Sequence, residues 1–340
     1  MIARRKAFTM RASSIGDALM AKYFLENVKL DNPSTECYLV VAGMGNMLRD
    51  LLSAYPWIKV IEANRRSLIS VVAAFKTLFS SDIALTQYSS RGRFSSLSKI
   101  FARMVTKFGG LAGFEDGWFF NRIFFDKLLP FDSKKALILH EQEALGSLQI
   151  PVKVESLRLD FVADDTFFKR LELIKDKYIV VHFFAGTSGR GLKTEKASEM
   201  LERICSIIPE STEILISGGV KDIPYAEKIK GKLRGKIIAG KTTLNEMVNI
   251  INESIAVISV DTGIAHIAAH LGKPLIVLRS CVSYNWWARE QYGREIRVIS
   301  ADSVCAGGHI AKDFPDCLNA INIDEVFLAV KDFNKKSKIF

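Results

Sequence analysis

Between Ser259 and Pro274 the chain reads Ser-Val-Asp-Thr-Gly-Ile-Ala-His-Ile-Ala-Ala-His-Leu-Gly-Lys-Pro, where an apolar β-rich run gives way to a helical pattern. Gly263 lets backbone approach a ligand, and the free N–H groups of the first helical turn point at whatever occupies the strand end. That arrangement suits an anion such as a diphosphate. Asp261 or Thr262 acting as a plain helix cap, with Gly272 and Pro274 ending the helix, accounts for both ends of the run. It leaves His266, one turn into the helix, unexplained. A second constellation is Ser14-Ile-Gly16-Asp17, directly after the first apolar run. A carboxylate there can take the proton of an attacking hydroxyl, although Ser14-x-x-Asp17 equally fits a capping box. Asp222 follows Ser217-Gly218-Gly219 at a strand end, where an acidic residue binds ribose hydroxyls or holds a turn.

The elements that must position these residues alternate between β-rich and helical along the chain, the pattern of an α/β protein on parallel sheets. In the first half we expect strands at Ala7–Met10, Tyr38–Ala42, Lys59–Ile61 and Ile83–Gln87, with helices after Asp17, at Met47–Ala54 and at Leu68–Phe79. The second half restarts at Tyr178–Phe184, apolar without alternation and therefore read as a fully buried strand. Further strands follow at Glu213–Ser217, Ile237–Ala239, Ala256–Val260 and Leu275–Leu278, with helices at Tyr225–Lys232, Leu244–Asn252 and Gly263–Leu271. The expected fold is two Rossmann-like, doubly wound parallel-sheet domains facing a cleft, 1–165 and 166–340, with ligands bound at the strand C-termini. Phe94–Phe108 reads as an amphipathic helix. Leu97, Ile100, Phe101, Met104, Val105 and Phe108 fall on one face, and Lys99, Arg103 and Lys107 recur on the other.

Composition sets outer bounds. At 340 residues with 49% apolar and 25% charged side chains, the chain has the make-up of two globular domains and not of a disordered segment. Its longest stretches without charge, Cys37–Leu48 and Tyr178–Gly189, are twelve residues, short of the roughly 18 that a membrane-spanning helix needs. Only Ala7–Met10 separates Arg4-Arg5-Lys6 from Arg11, too little for the apolar part of a signal peptide. The five cysteines make no disulfide framework. A cytoplasmic location is expected. The net charge is +10, and from Arg65 to Lys107 eight basic residues face Asp82 alone. An anionic partner follows: a lipid surface, a phosphorylated substrate or a nucleic acid. His266 and His270 are spaced i, i+4, and Cys305, His309 and Cys317 form a loose group, but neither supplies a convincing metal site, so none is assigned.

The Asp261-Thr262-Gly263-x-x-His266-x-Ala-x-x-x-Gly272-x-Pro274 run resembles the signature of glycosyltransferase family 9, the lipopolysaccharide heptosyltransferases and their relatives. Ser14-x-Gly16-Asp17 is similar to that family's N-terminal turn, Tyr55–Ile61 to its second βα unit and Asp82–Arg93 to its next strand and basic turn. His182–Lys193 is similar to its phosphate loop, and Cys317–Val326 to its C-terminal end. The resemblance implies a GT-B fold, an N-terminal acceptor domain, a C-terminal nucleotide-sugar domain, inversion at the anomeric carbon and no required metal. No Asp-x-Asp pair occurs in the chain, so protein groups must meet the leaving-group charge. Candidates are Lys193, the Thr187 and Ser188 hydroxyls, and the helix start at Asp261, Thr262, Gly263 and His266, with Asp222 as a further donor contact. Taken by itself, Lys193 is an ordinary solvated loop lysine. The resemblance makes Asp17 the base and places Ser14, Gly16, Arg91 and Arg93 at the acceptor. The chain departs from the family pattern after Asp17 and at Phe184-Ala185-Gly186 and Glu195, which affects sugar and acceptor choice. The expected partners are a nucleotide-sugar donor, ADP-heptose first among them, an anionic lipid-linked saccharide acceptor, and the inner face of the cytoplasmic membrane as a peripheral contact. No nucleic acid is expected. The alternatives are a GT-B enzyme with another donor, such as an epimerase, and a non-catalytic basic nucleic-acid-binding protein.

Overall fold

Parallel strands covered on both faces need no polar alternation, and the apolar runs of this chain supply twelve such strands to two sheets in the computed structural model. It describes residues 5–11, 14–88, 95–186, 191–280, 285–294, 296–300 and 316–337. The chain divides into two units, Met1–Leu157 with Tyr284–Arg294, and Arg158–Ser283 with Glu295–Phe340.

The first unit runs β1 (Lys6–Met10), α1 (Ile15–Asp31), β2 (Glu36–Val41), α2 (Gly45–Leu51), β3 (Ile58–Glu62), α3 (Leu68–Leu78), β4 (Ile83–Thr86), α4 (Ser96–Val105), β5 (Leu111–Phe114), α5 (Asn121–Phe124), β6 (Lys127–Leu129) and α6 (Leu137–Ser147). Its six strands lie in the order β3-β2-β1-β4-β5-β6 and pair parallel throughout. α1 packs on α6, whereas α3 packs on α4 and α4 on α5. These are the two helical layers that right-handed crossovers put on opposite faces of a doubly wound sheet.

The second unit runs α7 (Thr166–Arg170), β7 (Tyr178–His182), α8 (Thr194–Cys205), β8 (Glu213–Ile216), α9 (Ile223–Lys230), β9 (Lys236–Ile237), α10 (Leu244–Asn252), β10 (Ala256–Val260), α11 (Gly263–His270), β11 (Leu275–Arg279), β12 (Arg297–Ser300) and α13 (Ile323–Ser337); α12 (Arg289–Tyr292) belongs to the returning piece of the first unit. The order β12-β11-β10-β7-β8-β9 repeats the first sheet's topology. Its core joins Ile179, Val181, Ile214, Ile258 and Ile276 of the strands to Met200, Leu201 and Val326 of the helices. Among the described residues, no helix is long and apolar enough to cross a membrane.

The unit boundary falls at Leu157/Arg158, eight residues before the expected 165/166, and the first unit is completed by a later segment that the sequence reading assigned to the second. Hydrogen bonds explain both differences. Leu159 N–H donates to the His270 carbonyl and Asp164 N–H to the Asn249 side chain, which ties 158–165 to the second unit. Gln291 is fully buried; its side-chain oxygen accepts from Ile138 N–H at 2.9 Å and its carbonyl from Leu157 N–H at 2.7 Å.

The helix at Phe94–Phe108 forms over Ser96–Val105, with part of its apolar stripe turned to solvent and one of its lysines buried. Lys99 is buried beside Ala102 and Val105, while Leu97, Met104 and Phe108 are exposed. The cause is electrostatic. Lys99 Nζ meets Asp116 at 2.7 Å and Asn121 at 2.7 Å, Arg103 bonds Asp126 at 2.8 Å, and Lys107 bonds Asp82 at 2.7 Å. Acidic groups on neighbouring elements therefore hold all three basic side chains and draw Lys99 into the core, whereas Lys107 stays exposed. Lys99→Met leaves the buried Asp116 carboxylate without its lysine, and we expect a loss of about 3–5 kcal/mol in urea unfolding. A loss under about 1 kcal/mol would mean that the pair is solvated.

Candidate active site

In an open parallel sheet, ligands gather at the strand C-termini where the strand order reverses. In the first unit that point lies between β1 and β4. Asp17 follows β1 and Gln87 follows β4, and the two meet there: the Gln87 amide donates to Asp17 Oδ1 at 2.5 Å. On the other oxygen, the Ser14 hydroxyl donates to Oδ2 at 2.6 Å. Ser14 is also the N-cap of α1, accepting the Asp17 N–H at 3.2 Å. Ser14 thus caps α1, but the Asp17 carboxylate is held by the Ser14 hydroxyl and Gln87 at the sheet edge. Gly16 is buried in the first turn of α1.

Behind Asp17 lies a pair absent from the sequence reading. Arg11 and Glu141 are fully buried and meet at 2.7 Å. Burial pushes the Glu141 carboxyl above its ordinary range against the pull of Arg11, and the negative charge of Asp17 acts in the same direction as burial. The Arg11 guanidinium lies 6.0 Å from the Tyr88 ring centroid, and Tyr88 stacks on Phe131 at 5.0 Å. Arg91 and Arg93 lie outside the described residues.

The second unit's reversal lies between β7 and β10, where His182 pairs in register with Ser259. His182 Nδ1 is 3.0 Å from Ser217 Oγ at the end of β8. Burial pushes the imidazole down to about 4, although Asp222 and the Ser217 backbone pull it up. After β10, Thr262 is the N-cap of α11 in extended conformation and provides no side-chain cap. Its hydroxyl turns back to the Val260 carbonyl at 3.3 Å, as does that of Ser259 at 2.7 Å. The first-turn N–H groups from Gly263 onward are left without a side-chain cap, as an anion site requires. His266 Nε2 stands 3.8 Å from Asp261 Oδ1, which accounts for the residue that capping left over. His270 Nδ1 donates to the His266 carbonyl at 2.7 Å. Gly272, at φ +74°, closes the helix as Lys273 N–H reaches the Ala268 carbonyl at 3.0 Å, and the Pro274 carbonyl accepts Val257 N–H at 2.9 Å. Those two positions serve the fold.

The loop after β7 is closed at its base by Leu192 N–H on the Phe183 carbonyl at 3.1 Å. A Cβ on Gly191 would stand 3.1 Å from that same carbonyl oxygen, so the chain passes too closely for a larger residue without movement. Lys193 is exposed and is the N-cap of α8, with its N–H on Asn319 Oδ1 at 2.7 Å. Thr187 and Ser188 lie outside the described residues, as do Cys305, His309 and the Cys317 side chain. Asp222 Oδ2 accepts Gly219 N–H at 2.8 Å, the turn contact considered for it. Among the described residues, no three His, Cys, Asp or Glu side chains gather as a metal site.

Two Rossmann-like units of this strand order define a GT-B fold. The fold matches the glycosyl transferase family 9 structure from Veillonella parvula DSM 2008 over 98% of both chains, with a TM-score of 0.73 and 15% identity. It also matches E. coli ADP-heptose lps heptosyltransferase II over 98% of this chain and 99% of that one, with a TM-score of 0.68 and 16% identity. Residues 196–305 match glycosyltransferase family 9 (heptosyltransferase). An 89-residue stretch is 37% identical to lipooligosaccharide heptosyltransferase 2 of Haemophilus influenzae (strain ATCC 51907 / DSM 11121 / KW20 / Rd) and covers 24% of each chain. The chain is therefore a family-9-like protein. The matched segment contains the Asp261–Pro274 run and Asp222, but neither Asp17 nor Lys193.

The state of His182 carries a pH dependence. Its folded value, about 4, lies below the ordinary 6.5, so between these values the unfolded chain binds the proton more readily. Its contribution is complete above about pH 6.5 and is lost as pH falls toward 4, by up to about 3 kcal/mol. His182→Asn should lose correspondingly less stability over this window. Urea titrations at about pH 4 and about pH 7 test this, and equal losses in both proteins would exclude His182 as the source.

Proposed function

We propose that this chain is an inverting, metal-independent glycosyltransferase that moves a sugar, heptose from ADP-heptose, onto a lipopolysaccharide core or another lipid-linked saccharide. The observation that carries this reading is Asp17, held by Ser14 and Gln87 at the point where the first sheet reverses. The uncapped start of α11 at the corresponding point of the second sheet supports the donor half.

In this reading Asp17 takes the proton of the acceptor hydroxyl as its oxygen bonds the anomeric carbon. The bond from that carbon to the diphosphate breaks on the opposite face, and the diphosphate leaves with the electron pair. Displacement from the opposite face inverts the anomeric centre. The N–H groups at Gly263 and the Lys193 ammonium meet the charge on the leaving diphosphate. Thr187 and Ser188 add hydroxyl donors, Asp261 and His266 border the site, and Asp222 lies near the ribose. The acceptor is assigned to Ser14, Gly16, Arg91 and Arg93. The chain has no Asp-x-Asp pair of the kind that holds a metal under a nucleotide sugar, so protein groups carry this charge. The enzyme works in the cytoplasm at the inner face of the cytoplasmic membrane, with no nucleic-acid partner.

Asp17→Asn should keep the fold and ADP binding but lower kcat by roughly 10² or more; unchanged turnover at saturating donor and acceptor would remove Asp17 from the mechanism. Lys193→Ala should weaken ADP binding and slow transfer, while the native enzyme keeps its rate in EDTA. Activity lost in chelator and restored by Mg²⁺ would contradict the metal-free leaving-group site.

A further inference from the structure

A helix on the surface of a soluble domain normally keeps its outer face polar. α3 does not. It buries only Ala74 and Leu78, while Leu68 and Ile69 in its first turn are 78% and 85% exposed. Leu97 at the start of α4 is 69% exposed, and Phe119, Phe120 and Ile123 at the start of α5 are exposed as well, Phe119 at 83%. All six follow the C-terminal ends of β3, β4 or β5. Because the strands are parallel, the six share the sheet edge on which Asp17 follows β1.

Arginines flank these apolar groups in sequence. Arg65, Arg66 and Arg122 are exposed, and no ion pair joins them to acidic groups among the described residues. The acidic residues nearby have other partners, although Glu62 and Glu115, bonded only to N–H groups, keep their charge. Glu62 accepts Gly45 N–H, Glu115 accepts from Gly117 N–H and Asn121, and Asp116 bonds Lys99. Large apolar side chains flanked by such arginines suit the headgroup boundary of an anionic bilayer, where the apolar groups enter the lipid and the cations stay with the phosphates. A second copy of the chain fits poorly, since a two-fold contact would bring the same three arginines against each other.

We propose that this edge of the N-terminal sheet, where α3, α4 and α5 begin, is the docking surface of the protein on an anionic lipid bilayer. The basic side chains of α4 are not part of it, since each is held by an acidic group. The surface stands on exposure and charge alone; that it brings a lipid-linked acceptor to Asp17 rests on the function proposed above.

The test is co-sedimentation with vesicles of phosphatidylcholine, with and without phosphatidylglycerol, free of saccharide and donor. The native chain should sediment with the phosphatidylglycerol vesicles at low salt and be released at high salt. Ile69→Ser with Phe119→Ser should weaken partitioning about tenfold for each side chain withdrawn from lipid. Arg65→Ser, Arg66→Ser and Arg122→Ser together should weaken it about fivefold per arginine. These positions are exposed, so melting temperatures should not change, and the arginine variant keeps the test decisive if the apolar one fails to fold. Asp17→Asn should sediment like the native chain, which separates failure of the surface from failure of the catalytic reading. The proposal falls if the native chain ignores phosphatidylglycerol vesicles at low salt, or if both variants sediment as it does. It falls too if the native chain is a dimer that the apolar substitutions dissociate, because the edge then covers a second copy.

Discussion

Parallel pairing of β1 with β2 on one side and β4 on the other is the constraint on which the N-terminal unit depends. A parallel strand is joined to its neighbour only by a crossover, so the loops that follow the strands all leave at one edge. Where the crossovers change direction, between β1 and β4, no connection covers the gap. Asp17 and Gln87 come from the two sides of that gap, and their contact spans 70 residues of chain. The second unit solves the same geometry with β7 and β10, placing a neutral imidazole on one side and a helix start without a side-chain cap on the other. One packing rule thus places a hydrogen-bonded carboxylate at one edge and a helix start without a side-chain cap at the other.

What was legible in the sequence divides along the range of the interaction. Leu244–Asn252 and Ala256–Val260 form as read, because their patterns and caps are local; Thr243 and Glu246 even complete a capping box for α10. Asp17 was legible as a carboxylate at a strand end. Gln87 was not, because its role exists only once β4 lies beside β1. Glu141, 130 residues from Arg11, had no local signal at all. α4 misled for a related reason: periodicity assigns Lys99 to solvent unless Asp116 and Asn121 are already known to lie under it.

Buried ion pairs recur through the N-terminal unit. Arg11 with Glu141, Lys22 with Glu26 and Lys99 with Asp116 each meet at 2.7 Å with their charged groups mostly or wholly withdrawn from water. Desolvation offsets much of what such pairs gain, so their weight in net stability is small compared with the penalty for losing one partner. Their effect is orientation. Lys22 is held over the Tyr55 ring at 4.7 Å and Lys99 over the Trp118 ring at 4.9 Å, so each charge fixes an aromatic neighbour on the layer it supports.

Gln291 has a further consequence for biosynthesis. The Ile138 amide has its acceptor on a residue 153 positions later, with the whole of Arg158–Ser283 translated in between. During synthesis the first unit therefore waits, with the start of α6 incomplete, while the second emerges. At elongation rates of about 5–20 residues per second that delay is on the order of 10 s. The N-terminal unit thus begins first on the ribosome yet receives its last piece only after most of the second, and a chain interrupted between the two leaves the start of α6 without the Gln291 acceptor.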